Sequence, residues 1–387
     1  MMKIWQVFWQ FFTLGWISFG GPAAHIGYFE RTFVQKLQWI DSESYARLIS
    51  LSQFLPGPGS SQIGFAIGLR HAGIIGAFTA FIAFTSPSFL LLYILATTNQ
   101  AQDTPWLVGV THGLKLLAVV VVADAILNMY KAFCKERNSA IICMATAVVL
   151  LIAPSLFIQM SVLIAAGIVG ILIRKPTEVI SAAMPPRKAQ GKIHYLPLII
   201  FAALFSGLPL FTQSPLWLTL FADFYQSGSL VFGGGHVVLP ILQQALGEAI
   251  DTDRFLLGYA AAQAVPGPMF SLSAFLGADL LVNTPLTGAL IATVAIFLPG
   301  FLLVLGFHSA WESLAEKPKV AGAVWGINAA VVGLLISALY QPVFTTAIVN
   351  PVDMAAVIVG FFALRTMRIP IMAVVAGFIA FGYAIAL

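Results

Sequence analysis

Charge is what this chain has least of. Only 9% of its 387 residues are Asp, Glu, Lys or Arg, against 59% hydrophobic residues, too little polar surface to clothe a water-soluble globule. Cysteine is scarce as well. Cys134 and Cys143 stand without metal-ligand spacing and read as reduced thiols, so neither a metal centre nor a cofactor is expected. The sequence offers no paired carboxylates for a shared cavity, no nucleotide-cradling glycine loop after a strand and no defensible Ser-His-Asp set, which argues against an enzyme. An isoelectric point near 9.1 reflects basic residues gathered in loops rather than a basic face, so nucleic-acid binding is not expected. No small-residue cleavage site follows Met1-Met2-Lys3, which leads into Trp5, Trp9, Phe11 and Trp16, so no cleavable leader is expected.

What is present is apolar sequence, in runs at 72–98, 106–130, 139–174 (broken at Pro154), 194–212, 284–307, 320–345, 352–364 and 369–387. A crossing needs ~20 residues, so the chain reads as an all-α polytopic membrane protein. Crossing parity puts Arg70, the Lys131/Lys135/Arg137 turn, the loop from Arg174 to Lys192, Lys317, Lys319, Arg365 and Arg368 on one side. Of 19 Lys and Arg, only Arg254 falls in a turn on the other side and only Lys115 within a span. The turns around Asp103, Gln213, Asp279 and Asp353 are almost free of positive charge. The positive-inside bias makes the basic side cytoplasmic, which predicts a cytoplasmic N-terminus and an outside C-terminus in a bacterial inner membrane.

The chain also repeats itself. Ile40-Asp41 followed by Gln53-x-x-Pro56-Gly57-Pro58 recurs 210 residues later as Ile250-Asp251 followed by Gln263-x-x-Pro266-Gly267-Pro268. Weaker matches follow in the same order: Phe19-Gly20-Gly21 with Phe232-Gly233-Gly234, Ser86-Pro87-Ser88-Phe89 with Leu298-Pro299-Gly300-Phe301, and Gly113 and Lys115 with Gly326 and Asn328. The organisation expected is a first repeat over 1–174, a basic loop and connecting helix over 175–214, and a second repeat over 215–387. One connecting helix starts the second repeat on the opposite face, so the repeats are expected to be inverted and to carry Pro/Gly-broken re-entrant helices. Pro185-Pro186-Arg187-Lys188 in the loop reads as a flexible linker near anionic headgroups.

Broken helices at membrane depth are tolerated where they line a cavity. Pro56-Gly57-Pro58-Gly59 should end one short helix and start another, whose first N–H groups, near Gly59 to Gln62, carry a partial positive charge. The second copy offers the same at Met269 to Ser273. Ser60, Ser61, Ser271 and Ser273 add hydroxyls, and the amides of Gln53 and Gln263 either donate to an anion or hold helices together. The glycine breaks Gly20-Gly21-Pro22 and Gly233-Gly234-Gly235 precede His25 and His236, each of which has three readings: substrate donor, proton carrier or structural cap. Lys115 either lends positive potential to an anion path or pairs with an acid such as Asp124 or Asp223. Those two acids are the candidates for proton coupling. Asp41 and Asp251 read as N-caps.

These residues carry a resemblance. Phe-Gly-Gly-Pro with His25, then Asp41, then Gln53-x-x-Pro-Gly-Pro-Gly, repeated as Phe232-Gly-Gly-Gly-His236 and Gln263-x-x-Pro-Gly-Pro, looks like the long-chain, two-domain chromate ion transporter family. The similarity spans nearly the whole chain, including its basic central loop. It implies export of chromate from the cytoplasm, driven by membrane potential or proton gradient, with sulfate as a chemically similar competitor. The family's motifs fall on Gly20, Gly21, Pro56, Gly57, Pro58, Gly233, Gly234, Pro266, Gly267 and Pro268. Met269 stands where the first repeat has Gly59, so the two half-sites are not expected to bind the anion equally.

The mechanism expected is alternating access, with a tetrahedral dianion held between opposed half-helix N-termini while the repeats rock. The expected partners are that oxyanion, the lipid bilayer and a second copy in a homodimer. An anion channel and a sulfate or molybdate importer remain as alternatives with the same dipoles.

Overall fold

The computed structural model describes residues 2–98, 105–173, 192–210, 215–232, 235–310 and 317–386. Helices are the regular elements throughout the described residues. In the first half these are α1 (Met2–Ile17), α2 (Gly21–Phe29), α3 (Ser42–Phe54), α4 (Gly59–Thr98), α5 (Pro105–Phe133), α6 (Arg137–Ile152) and α7 (Leu156–Ile173). α8 (Tyr195–Gly207) connects to α9 (Leu216–Leu230), α10 (Val238–Leu246), α11 (Thr252–Ala264), α12 (Leu272–Leu280), α13 (Pro285–Phe307), α14 (Pro318–Ala338), α15 (Pro351–Arg365) and α16 (Ile371–Ala386). Among the described residues, four helical stretches are long and apolar enough to cross a membrane: Gly59–Thr98, Val108–Phe133, Pro285–Phe307 and Pro318–Ala347. With the shorter apolar helices around them, they make a multi-pass, all-α membrane protein.

The expected breaks appear where proline and glycine put them. The run at 139–174 divides into α6 and α7 around Pro154. The 72–98 run is longer than its apolar stretch suggested: it continues the half-helix that starts at Gly59, and α4 reverses at Ala72–Gly73, where Gly73 has φ 69°. A Cβ on Gly68 would strike the Gly76 carbonyl, so the two arms of α4 touch backbone to backbone. The second half builds the same hairpin from α12 and α13, with Gly277 against Gly288. Asp41 and Asp251 are N-caps as expected; Asp41 accepts from the Ser44 N–H at 2.8 Å. Arg254, assigned to a turn, instead lies inside α11 and pairs with Asp279 at 2.7 Å.

Contacts recur between the halves at a spacing of 210 to 213 residues. α1 packs its Gly15 on the Phe84 carbonyl and Pro87 of α4, and α9 packs its Gly228 on Ile296 of α13. The final helix of each half crosses a long helix of the other. Gly170 of α7 meets Gly322 and Gly326 of α14, and Gly382 of α16 meets Gly109 and Gly113 of α5. Lipid-type helices lack a hydrophobic drive to associate with one another, so close glycine crossings of this kind supply the packing.

Candidate functional site

The two Pro-Gly-Pro bends both lie in the interior, each packed against the opposite half of the chain. Pro58, Gly57, Pro266, Gly267 and Pro268 are buried and Pro56 is half-buried. Both glycines are left-handed, Gly57 with φ 122° and Gly267 with φ 100°. Each bend bonds the other half of the chain: Gly57 N–H donates to the Val231 carbonyl at 2.7 Å, and Gly267 N–H donates to the Ser18 carbonyl at 3.0 Å. Ser18 and Val231 are themselves equivalent, each ending the first helix of its half. Gly57 also lies against Gly300, and Gly267 against Ser88, another equivalent pair.

From the first bend, α4 begins at Gly59, with Ser60 and Ser61 in its buried first turn. From the second, a turn of 3-10 helix over Met269–Ser271 leads into α12. The first N–H groups of such helices have no intrahelical acceptor. Ser271 Oγ meets Ser88 Oγ at 2.7 Å, and Ser273 Oγ donates to Thr293 Oγ1 at 3.2 Å. The sequence reading used Gln62 only as part of the helix start and missed its side chain. Its amide donates to the Pro56 carbonyl at 2.9 Å and the Gly300 carbonyl at 3.3 Å, pinning the bend to the other half. Among the described residues, Ser18 Oγ, Ser61 Oγ, Gln62 Oε1 and Thr85 Oγ1 are fully buried polar atoms without a hydrogen-bond partner. Such groups are costly in an apolar interior unless something polar visits them.

Gly20 and Gly21 form the first break with φ 98° and 71°. His25, fully buried, spans it. Its Nε2 donates to the Ser18 carbonyl at 3.2 Å, which leaves Nδ1 to accept from the Ser60 hydroxyl at 3.1 Å. These two bonds tie the break to the start of α4. Gly233 and Gly234 lie outside the described residues. Gly235 is buried against Met269, and His236 Nδ1 lies 3.0 Å from the Tyr259 hydroxyl and 3.4 Å from Gln263 Nε2. The two glutamines thus differ: Gln263 is half-buried in this cluster, whereas Gln53 is exposed at the wall of a cavity.

Lys115 is not at the bends. It pairs with neither Asp124 nor Asp223 but with Asp253, at 2.8 Å. Asp124 binds Arg365 at 3.0 Å and Asn128 at 2.9 Å. Asp223 is half-buried on α9, with no ion pair among the described residues. Asp353 was read only as part of a turn, yet it is fully buried and holds His112 at 2.7 Å.

A family described as "Chromate transporter" matches residues 5–171 and 218–383. The chain is 28% identical to a probable chromate transport protein of Synechococcus elongatus, over 85% of this chain and 82% of that protein. It is 26% identical to a chromate transport protein of Cupriavidus metallidurans, over 96% and 90% of the two chains. An uncharacterized transporter of Methanocaldococcus jannaschii is also 26% identical, over 86% and 82%. No solved structure matches the chain.

Proposed function

That the chain belongs to the chromate transporter family, a transport family rather than an enzyme family, is the premise from which we propose that it exports chromate across the bacterial inner membrane as a secondary transporter. The cargo class is a tetrahedral oxyanion, with sulfate as the competitor named by chemistry. The observation that carries this reading is the reciprocal pair of bonds from Gly57 to Val231 and from Gly267 to Ser18. Each bend is fixed to the opposite half, so two helix starts and their buried hydroxyls can face one small volume. Donors of that kind hold a dianion without many full charges, which would bind too tightly to release it.

The repeats are read as inverted and as rocking about this volume, opening one face and then the other. The matched contacts of the two halves support duplication, and the basic turns support a cytoplasmic N-terminus with the C-terminus outside. An outward-moving dianion gains about 2.3 kcal/mol per charge per 100 mV from a potential negative inside, so the potential assists export even without a proton. Asp223, the uncompensated acid of the pair considered, is the place to look if a proton is also carried.

Radiolabelled chromate and sulfate flux into everted vesicles tests the proposal, with membrane potential and pH gradient collapsed separately. Saturable chromate uptake that sulfate slows and that falls when the potential is collapsed is expected. Gln53→Ala should abolish the saturable component with insertion unchanged. Uptake linear in concentration, or faster without the potential, would remove the carrier reading.

A further inference from the structure

The two halves differ at one pair of equivalent places. His112 and Lys115 of α5 correspond to Trp325 and Asn328 of α14, and α11 with Gln263 corresponds to α3 with Gln53. At the first place the elements are shut. α5 packs directly on α11, with Lys115 Nζ 2.8 Å from Asp253, and His112 ties α5 to the buried Asp353 of α15 at 2.7 Å. At the second place they are apart. A cavity of about 420 Å³ separates α3 from α14, walled by Ser50, Gln53, Lys135, Glu136, Trp325 and Asn328. At ~30 Å³ per water it holds on the order of ten waters, room for an oxyanion with its near hydration.

Asn328 is the informative residue in that wall. It is 6% exposed, and its amide oxygen has no hydrogen-bond partner among the described residues. A buried carboxamide in an apolar helix is costly unless something pairs with it; its oxygen can only accept, so water or a donor serves that atom, and toward an oxyanion only the amide N–H groups can donate. Lys135 and Glu136 bring opposite charges to the rim, so selection inside falls to neutral groups.

Building on the transport reading, we propose that this cavity is the open vestibule of the anion path, where the amide N–H groups of Asn328 and Gln53 donate to the oxyanion. The Lys115–Asp253 and His112–Asp353 pairs latch the equivalent vestibule shut on the opposite face. One half standing open while its counterpart is closed is what alternation between two states requires of a duplicated molecule. When the latches part, α5 and α11 separate and α3 closes on α14.

One-sided labelling tests this. In full-length protein with Cys134→Ser and Cys143→Ser, S50C and A321C, at wall positions of the cavity that leave Gln53 and Asn328 in place, should react with a membrane-impermeant maleimide in everted vesicles, not in right-side-out ones, and chromate or sulfate should slow the reaction. Adding K115M should lower the everted labelling rate roughly two- to five-fold, the range for a half-exposed ion pair. The swap K115D with D253K should restore it. Equal labelling from both faces, or a rate indifferent to K115M and to the swap, would overturn the latch and vestibule. Labelling that neither anion slows would overturn binding there. Wild-type vesicles that move neither chromate nor sulfate, beside cysteine variants that label on one face only, would refute the transport reading and leave the two-state arrangement standing.

Discussion

Gly57 and Gly267 occupy equivalent bends, yet an added methyl would meet different company. At Gly57 the new Cβ lies 3.0 Å from the Gly300 backbone Cα, which cannot step aside, and at Gly267 it lies 2.9 Å from the Ser88 hydroxyl, which can rotate. Both pay for left-handed backbone, on the order of 1 to 3 kcal/mol. Gly57→Ala should therefore lower the thermal midpoint in detergent more than Gly267→Ala, and S88A should relieve only the latter; equal losses would refute this asymmetry. The bends themselves were legible because proline and glycine announce a break wherever they stand. Residue partners were not. Lys115 looks costly in sequence, but Asp253 is 138 positions away and only the folded path of α11 brings it near. Gln62 reads as one more polar residue in a helix start until Gly300 is seen across from it.

At the scale of elements, the breaks at Gly20-Gly21, Pro56-Gly57-Pro58 and Pro154 all fall where the sequence puts them, and the caps do too. The Ser44 N–H, then its hydroxyl, hold the Asp41 carboxyl down from 3.8 to about 2. A lowered folded value means that the cap's contribution is complete above the ordinary carboxylate range and is lost as pH falls toward the folded value. The stability gap between wild type and Asp41→Asn should thus stay flat from neutral pH down to that range; a gap that closes already near neutrality would contradict it. What the sequence could not supply was the pairing of long helices. Gly113 and Gly326 lie in apolar stretches that suggest any lipid-facing span, but both sit at crossings where backbones touch. Gly326→Leu should overpack its crossing by about 1 to 3 kcal/mol or more, seen as lost monodisperse protein on size exclusion. Gly377→Leu, with nothing within 4 Å of its Cβ, should be silent.

For the whole molecule, the apolar runs were enough to read a multi-pass membrane protein, because bilayer thickness acts on composition rather than on detail, and the distribution of Lys and Arg adds an expected orientation. The cavity beside Asn328 was invisible at that level, since it exists through the separation of two elements far apart in the chain. The topology itself is open to measurement: an epitope after Leu387 should be cleaved by protease in right-side-out vesicles and protected in everted ones. The reverse pattern would invert every assignment of faces above.

The exchange of last helices has a bearing on biogenesis. α7 lies along α14 and α16 lies along α5, so the seams of the early half are filled by segments that the ribosome makes last. The nascent first half must wait in the bilayer with its glycine grooves bare, and it reaches its final packing only once synthesis is complete. A chain stopped before Ile371 should therefore insert but remain a substrate for membrane quality-control proteolysis, and supplying the missing strand of sequence as a separate peptide should rescue it.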